Sequence, residues 1–183
     1  MKIGKRPTIL LMIAAMTMTA CFYRTEKETA DPGPTAIVVD NETGEPIEGA
    51  SAMAVWWAER SLSWFEGSFI SAPMQLEYTV SDAEGRIFIP DFWKEGKNPV
   101  LSVYKCGYVC WNQLYVKGGG KRNDFDKENR VVQLKKWPED FSFIKHYQFI
   151  SFFVTRGLLQ ASNFYKDIYE CEVDYRVKER RQE

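Results

Sequence analysis

The feature that most restricts this chain is a series of short β-rich runs between Thr35 and Leu134, each closed by a turn signal. Ala36-Ile37-Val38-Val39 is an apolar run. It is followed by Asp40-Asn41-Glu42-Thr43-Gly44-Glu45-Pro46, a dense turn in which Gly44 is free to take positive φ. Ser51–Trp57 is the next candidate strand. Tyr78-Thr79-Val80 leads into a second turn, Ser81-Asp82-Ala83-Glu84-Gly85, and Arg86-Ile87-Phe88-Ile89 then alternates apolar and polar. Pro99–Tyr104, Val109–Val116 and Val131–Leu134 complete the series. A 3.6-residue period does not persist anywhere in this stretch, which argues against helices. About seven short strands over about 100 residues predict a mainly β protein, an antiparallel β-sandwich. An apolar fraction of 45% and an aromatic fraction of 15% are enough for a core of moderate size.

Beyond Leu134 the pattern changes. Lys135-Lys136-Trp137-Pro138-Glu139-Asp140 marks a boundary, with Pro138 and the following acids suited to a helix start. Phe143, Tyr147, Ile150, Val154 and Leu158 recur at helical spacing, and Gly157 is a point where the helix breaks or bends. Ala161, Phe164, Tyr165, Ile168 and Tyr175 continue the spacing into a charged end. One or two helices packing back on the sandwich are therefore expected over 137–183. Alternation at 147, 149, 151 and 153 is the rival, strand-like pattern. Lys145, His146, Gln148 and Arg156 interrupt the apolar run, so a membrane hairpin is not expected. The apolar helix faces suit burial against the chain's own sandwich, with a protein partner as the alternative.

The N-terminus carries a different signal. Lys2, Lys5 and Arg6 precede an uncharged run, Thr8–Ala20, of 13 residues. That length falls short of the roughly 20 residues a spanning helix needs and suits the apolar core of a secretory leader. The run ends in Met18-Thr19-Ala20-Cys21, which resembles the lipobox of bacterial lipoproteins, with Met18 where leucine is usual. The resemblance implies a diacylglyceryl group on the Cys21 thiol, cleavage before it and a palmitate-type acyl group on its amine. Ordinary cleavage after Ala20 is the competing pattern. Residues 1–20 read as a lipoprotein signal peptide and 21–34, which contain Arg24–Pro34, as a flexible tether. Removing 1–20 takes the formal charge from −1 to −4. Acyl chains rather than net charge would then hold the body at a membrane. Phe22 stands where an aspartate would signal inner-membrane retention. The expected location is thus the cell envelope, with the outer membrane, on its periplasmic or surface face, favoured in a Gram-negative cell.

The body also carries a resemblance. Val38-Val39-Asp40-Asn41-Glu42-Thr43-Gly44-Glu45-Pro46-Ile47-Glu48-Gly49-Ala50 looks like the opening hairpin of carboxypeptidase regulatory-like domains. Ser81-Asp82-Ala83-Glu84-Gly85-Arg86-Ile87-Phe88-Ile89-Pro90 and Leu101-Ser102-Val103-Tyr104-Lys105-Cys106-Gly107-Tyr108 follow in the family's order. The resemblance covers 35–136 and implies a transthyretin-like (prealbumin-like) sandwich without catalytic chemistry. Glu84 and the long Ala58–Gln75 connection depart from the family pattern.

Side-chain chemistry narrows the function. The charge balance, 24 Lys and Arg against 25 Asp and Glu, does not suit a nucleic-acid binder. His146 is the single histidine, which excludes sites built on two imidazoles. No Gly-x-Ser-x-Gly elbow accompanies it, so a hydrolase is a remote alternative. Gly118-Gly119-Gly120-Lys121 lacks Walker spacing and reads as a solvated hairpin loop. No catalytic residue, metal or cofactor is expected.

Trp57, Trp64 and Phe65 sit around the long connection. They either close one end of the sandwich or form a platform that stacks on sugars. Apart from Cys21, three cysteines remain. Cys106 with Cys110 across a tight connection is the favoured disulfide, with Cys171 paired to either one, or all three reduced, as the alternatives. Three thiolates around a metal is a weak further reading. The expected function is a non-catalytic envelope lipoprotein, anchored through Cys21, that binds or assembles with an envelope protein. The alternative is a carbohydrate-binding lipoprotein using the aromatics around Trp64.

Overall fold

A computed structural model of the chain describes residues 33–61, 69–94, 99–125, 128–153 and 162–182, with backbone only at 58–61, 69–74 and 153. In chain order the strands are β1 (Ala36–Asp40), β2 (Ser51–Ser61), β3 (Phe69–Val80), β4 (Arg86–Ile87), β5 (Val100–Tyr104), β6 (Trp111–Asn112) and β7 (Val131–Leu134). Two helices follow, α1 (Phe143–Phe153) and α2 (Asn163–Arg180). The strands form two sheets, one in the order β4-β1-β7 and one in the order β3-β2-β5-β6. The protein is thus mainly β, with its described helices toward the C-terminal end. None of the described helices is long and apolar enough to cross a membrane.

The larger sheet is covered on both faces, and the sequence of β2 shows why. Ala52, Ala54 and Trp56 point into a core shared with the smaller sheet. Met53, Val55 and Trp57 point the other way, into a second core closed by Ile150, Phe164 and Ile168 of the helices. Alternation of side chains along a strand produces this split. β5 divides the same way, with Leu101 and Val103 in the first core and Tyr104 in the second. Small side chains at Ala50, Ala52 and Ala54 let the two sheets approach. Full burial of a side chain such as Phe164 or Ile168 contributes about 2 kcal/mol.

Local polar contacts fix the loops that join the sheets. Asp40 accepts from the N–H groups of Glu42 (2.8 Å) and Thr43 (3.1 Å) and so closes the first turn. Ser81 donates to the Ile47 carbonyl (2.7 Å) and accepts from the Ala50 N–H (2.8 Å), which holds the chain entering β2. Gly85 adopts φ +72°, and a Cβ there would lie 2.4 Å from the Val38 carbonyl oxygen. Only glycine lets the second turn lie this close to β1.

Several expectations change. The smaller sheet is not wholly antiparallel, because β1 and β7 run parallel, with Ile37 opposite Val131 and Asp40 opposite Leu134. Their long sequence separation frees this pair from the antiparallel geometry that a hairpin imposes. The Ala58–Gln75 connection is not a loop throughout, since β2 and β3 pair from Ser51–Val80 out to Ser61–Phe69. The strand expected over Val109–Val116 shrinks to Trp111–Asn112, because the Asn112 side-chain oxygen accepts from the N–H groups of Leu114 (2.9 Å) and Tyr115 (3.0 Å). β4 likewise stops at Ile87. The first helix begins at Phe143 rather than at Pro138. The rival strand pattern over 147–153 is not followed. Gly157 lies outside the described residues.

The favoured disulfide is also corrected. Cys106 bonds to Cys171 of α2, with a Cα–Cα separation of 5.9 Å, and Cys110 is a free, buried thiol. The two nearby cysteines do not face each other, because Cys106 sits in a turn closed by the Tyr108 N–H on the Lys105 carbonyl (3.0 Å) and the chain then runs along the segment after β7. Val109 N–H donates to the Lys135 carbonyl (2.8 Å) and Trp137 N–H to the Gly107 carbonyl (2.9 Å). Two carboxylates of α2 make further docking contacts. Asp167 accepts from the hydroxyls of Ser51 and Tyr78, and Glu179 accepts from the N–H groups of Phe143 (2.8 Å) and Ile144 (3.1 Å) at the start of α1. Cys171→Ser should lower the unfolding free energy by about 3 kcal/mol, read in urea denaturation of the oxidised protein. The same substitution under reducing conditions should cost little.

Candidate functional site

The strand order leaves one edge of each sheet beside the other. β6 is an outer strand of the larger sheet and β7 of the smaller. They converge where Tyr108 pairs with Lys136 and diverge beyond it. The space between is a cleft of about 840 Å³, floored by Cys110 and Trp111 and walled by Val131, Gln133 and Lys135.

The wall contributes backbone as well as side chains. In the parallel β1–β7 ladder, Ile37 N–H donates to the Arg130 carbonyl (2.9 Å) and Asn41 N–H to the Leu134 carbonyl (2.9 Å). Even-numbered residues therefore turn their peptide groups toward β1. By alternation, Val131 and Gln133 turn theirs away from β1, into the cleft. Lys135 has the same parity, and its carbonyl accepts from Val109 on that side. Among the described residues no strand pairs with this edge of β7. An unpaired edge of this kind is a template for another extended chain.

The rim is charged but internally compensated. Lys136 Nζ lies 3.2 Å from Asp40 and 3.5 Å from Glu42, and the Tyr108 hydroxyl donates to Asp40 (2.9 Å). The N–H groups of Glu42 and Thr43 hold Asp40 well below the usual carboxylate range, against the opposing effect of burial, and Tyr108 and Lys136 add to them. Across the cleft, Arg122 donates to the Asn112 carbonyl (2.7 Å), pairs with Asp124 (2.8 Å) and lies over the Trp111 ring at 4.8 Å. These pairs give directional donors and acceptors rather than one strong field. That suits a polypeptide better than a polyanion.

Behind the floor lies the one histidine. His146 is fully buried. Its Nε2 accepts from the Cys110 N–H (2.8 Å), so that nitrogen carries no proton, and Nδ1–H donates to Glu172 Oε1 at 2.9 Å. Both ring nitrogens are engaged within the protein. The imidazole links α1, α2 and the β6 edge. Burial, and then Glu172, raises the Tyr104 phenol and the Cys110 thiol well above their ordinary ranges. A buried thiol of this kind is a poor nucleophile.

The structure distributes the other expected residues. Trp57 is half-buried, with its ring packed on the helix-facing core. Trp64 and Phe65 lie outside the described residues, as does Cys21. Trp56 is buried between the sheets. Among the described residues, no group of three His, Cys, Asp or Glu side chains is placed to hold a metal. Sequence reasoning missed Glu172 and Glu179. Their signal is a seven-residue spacing that puts carboxylates on the same helix face as Phe164 and Ile168. Comparison of the chain with family models, curated proteins and solved structures returned no match.

His146→Ala removes the partner of a buried N–H and of a buried acid together. It should lower the unfolding free energy by about 3 kcal/mol in chemical denaturation.

Proposed function

We propose that this chain is a non-catalytic lipoprotein of the cell envelope that docks an extended segment of a partner protein along the free edge of β7. The carrying observation is the outward turn of the Val131 and Gln133 peptide groups into a cleft of about 840 Å³. Addition of a strand to a sheet edge derives affinity from main-chain hydrogen bonds and specificity from flanking side chains. Here Lys135, Arg122, Glu42 and Asp124 are the flanking polar groups.

Other observations support parts of this reading. The leader ending in Cys21 supports acylation and envelope localisation, with the outer membrane favoured. The Cys106–Cys171 bond supports an oxidising compartment. The three ordered motifs and the two-sheet architecture support a carboxypeptidase regulatory-like, transthyretin-like assignment of 35–136. Engagement of both His146 nitrogens inside the protein supports a binding role over a hydrolytic one. The glycan alternative through Trp57, Trp64 and Phe65 has no comparable support, since the described ring among them packs inward.

Gln133→Pro tests the docking edge. It deletes an N–H that faces the cleft, not one that bonds β1, so the sheet should survive. In cells expressing the full chain, cross-linking should capture an envelope partner with the wild type and not with Gln133→Pro, at equal thermal stability. Equal capture by both would overturn strand docking. Mass spectrometry of the mature N-terminus should find acylated Cys21, and an unmodified start would overturn the anchor.

A further inference from the structure

A second surface differs from the cleft in chemistry. Tyr115 pairs with Lys121, and Val116 N–H donates to the Gly120 carbonyl (3.2 Å), so the chain makes a hairpin with Gly118, Gly119 and Gly120 at its tip. The hairpin lies beside the outer face of α1, and the two enclose a groove of about 740 Å³ with a mainly apolar lining. Phe152 stands at this groove with 74% of its surface exposed, its ring edge-on to Tyr115 at 5.5 Å. Phe149 of α1 and Val116 of the hairpin continue the apolar strip.

The charges around the groove have one sign. Among the described residues, Lys117, Lys121 and Lys145 line it and no Asp or Glu does, and Lys117 Nζ rests over the Phe141 ring at 3.8 Å. The acids that act on Lys117, which are Asp140, Glu172 and Glu179, lie outside the lining. The whole chain has a formal charge of −1, so Lys121 and Lys145, with no lining acid beside them, are a local concentration. Salt screens charges beyond about 8 Å, so an approaching surface responds to this patch rather than to the net charge.

We infer that the face formed by the 115–121 hairpin and α1 docks on an anionic phospholipid surface. Phe152 enters the interfacial layer, and Lys121 and Lys145 meet lipid phosphates. An exposed aromatic side chain flanked by lysines suits the boundary between headgroups and acyl chains. The inference is independent of acylation at Cys21 and of strand docking at β7. It concerns which face of the body meets the bilayer.

The test reads that face directly, so that an acyl anchor does not mask it. The full chain is mixed with vesicles of phosphatidylcholine, or of phosphatidylcholine with phosphatidylglycerol, and amide hydrogen exchange is followed. Exchange over Tyr115–Lys121 and Lys145–Phe152 should slow on the anionic vesicles and not on the neutral ones. Each lysine removed should weaken the lipid-bound state about fivefold. The Lys121→Gln, Lys145→Gln double variant should therefore lose the slowing, and Phe152→Ala should reduce it, with the β2–β5 core unchanged in both. Equal exchange on the two vesicles would overturn the inference. So would slowing by a polyglutamate peptide with none on vesicles, which would assign the face to an acidic protein.

Discussion

The architecture depends on a sheet whose two central strands are covered on both faces. β2 and β5 alternate between two cores, one shared with the smaller sheet and one with the helices. A strand must be apolar where both of its faces are covered, as Ala52 to Trp57 of β2 is. The helices are consequently not an optional layer. Without them Met53, Val55 and Tyr104 would face solvent. Asp167, Cys171 and Glu172 add polar and covalent ties at intervals along α2. Residues Gly33–Glu183 accordingly form one compact unit.

How far the sequence could be read follows from the range of each interaction. Turn chemistry acts locally, and the turns at Asp40–Pro46 and Ser81–Gly85 were legible together with β1 and the start of β2. Periodicity acts over a few turns, and both helices were legible, with a late start for α1 because Glu179 from α2 caps it. Distant contacts left weaker traces. Nothing near Val131 announces that its partner strand runs parallel, and nothing near Cys106 marks Cys171 over Cys110. The Asn112 turn that ends β6 depends on a carboxamide that sequence reasoning treats as an ordinary strand residue.

The cleft shows the same division. Its aromatic and charged residues were visible as residue types, while Trp57, Trp64 and Phe65 stood out more as aromatics. The groups with the most to offer a partner are main-chain ones, at Val131 and Gln133. Peptide groups carry no side-chain label, so their availability emerges only from strand order. His146 was legible as solitary. That it acts as a strut behind the cleft floor depends on Glu172, which lies 26 positions away.

The placement of the third thiol has a consequence for maturation. Cys110 is nearer in sequence to Cys106 than Cys171 is, and a small ring between the two would close first by proximity alone. Once β6 and α1 close over Cys110, that thiol is shut away from oxidants and from the finished bridge. Among the described residues the fold thus leaves Cys171 as the reachable partner of Cys106.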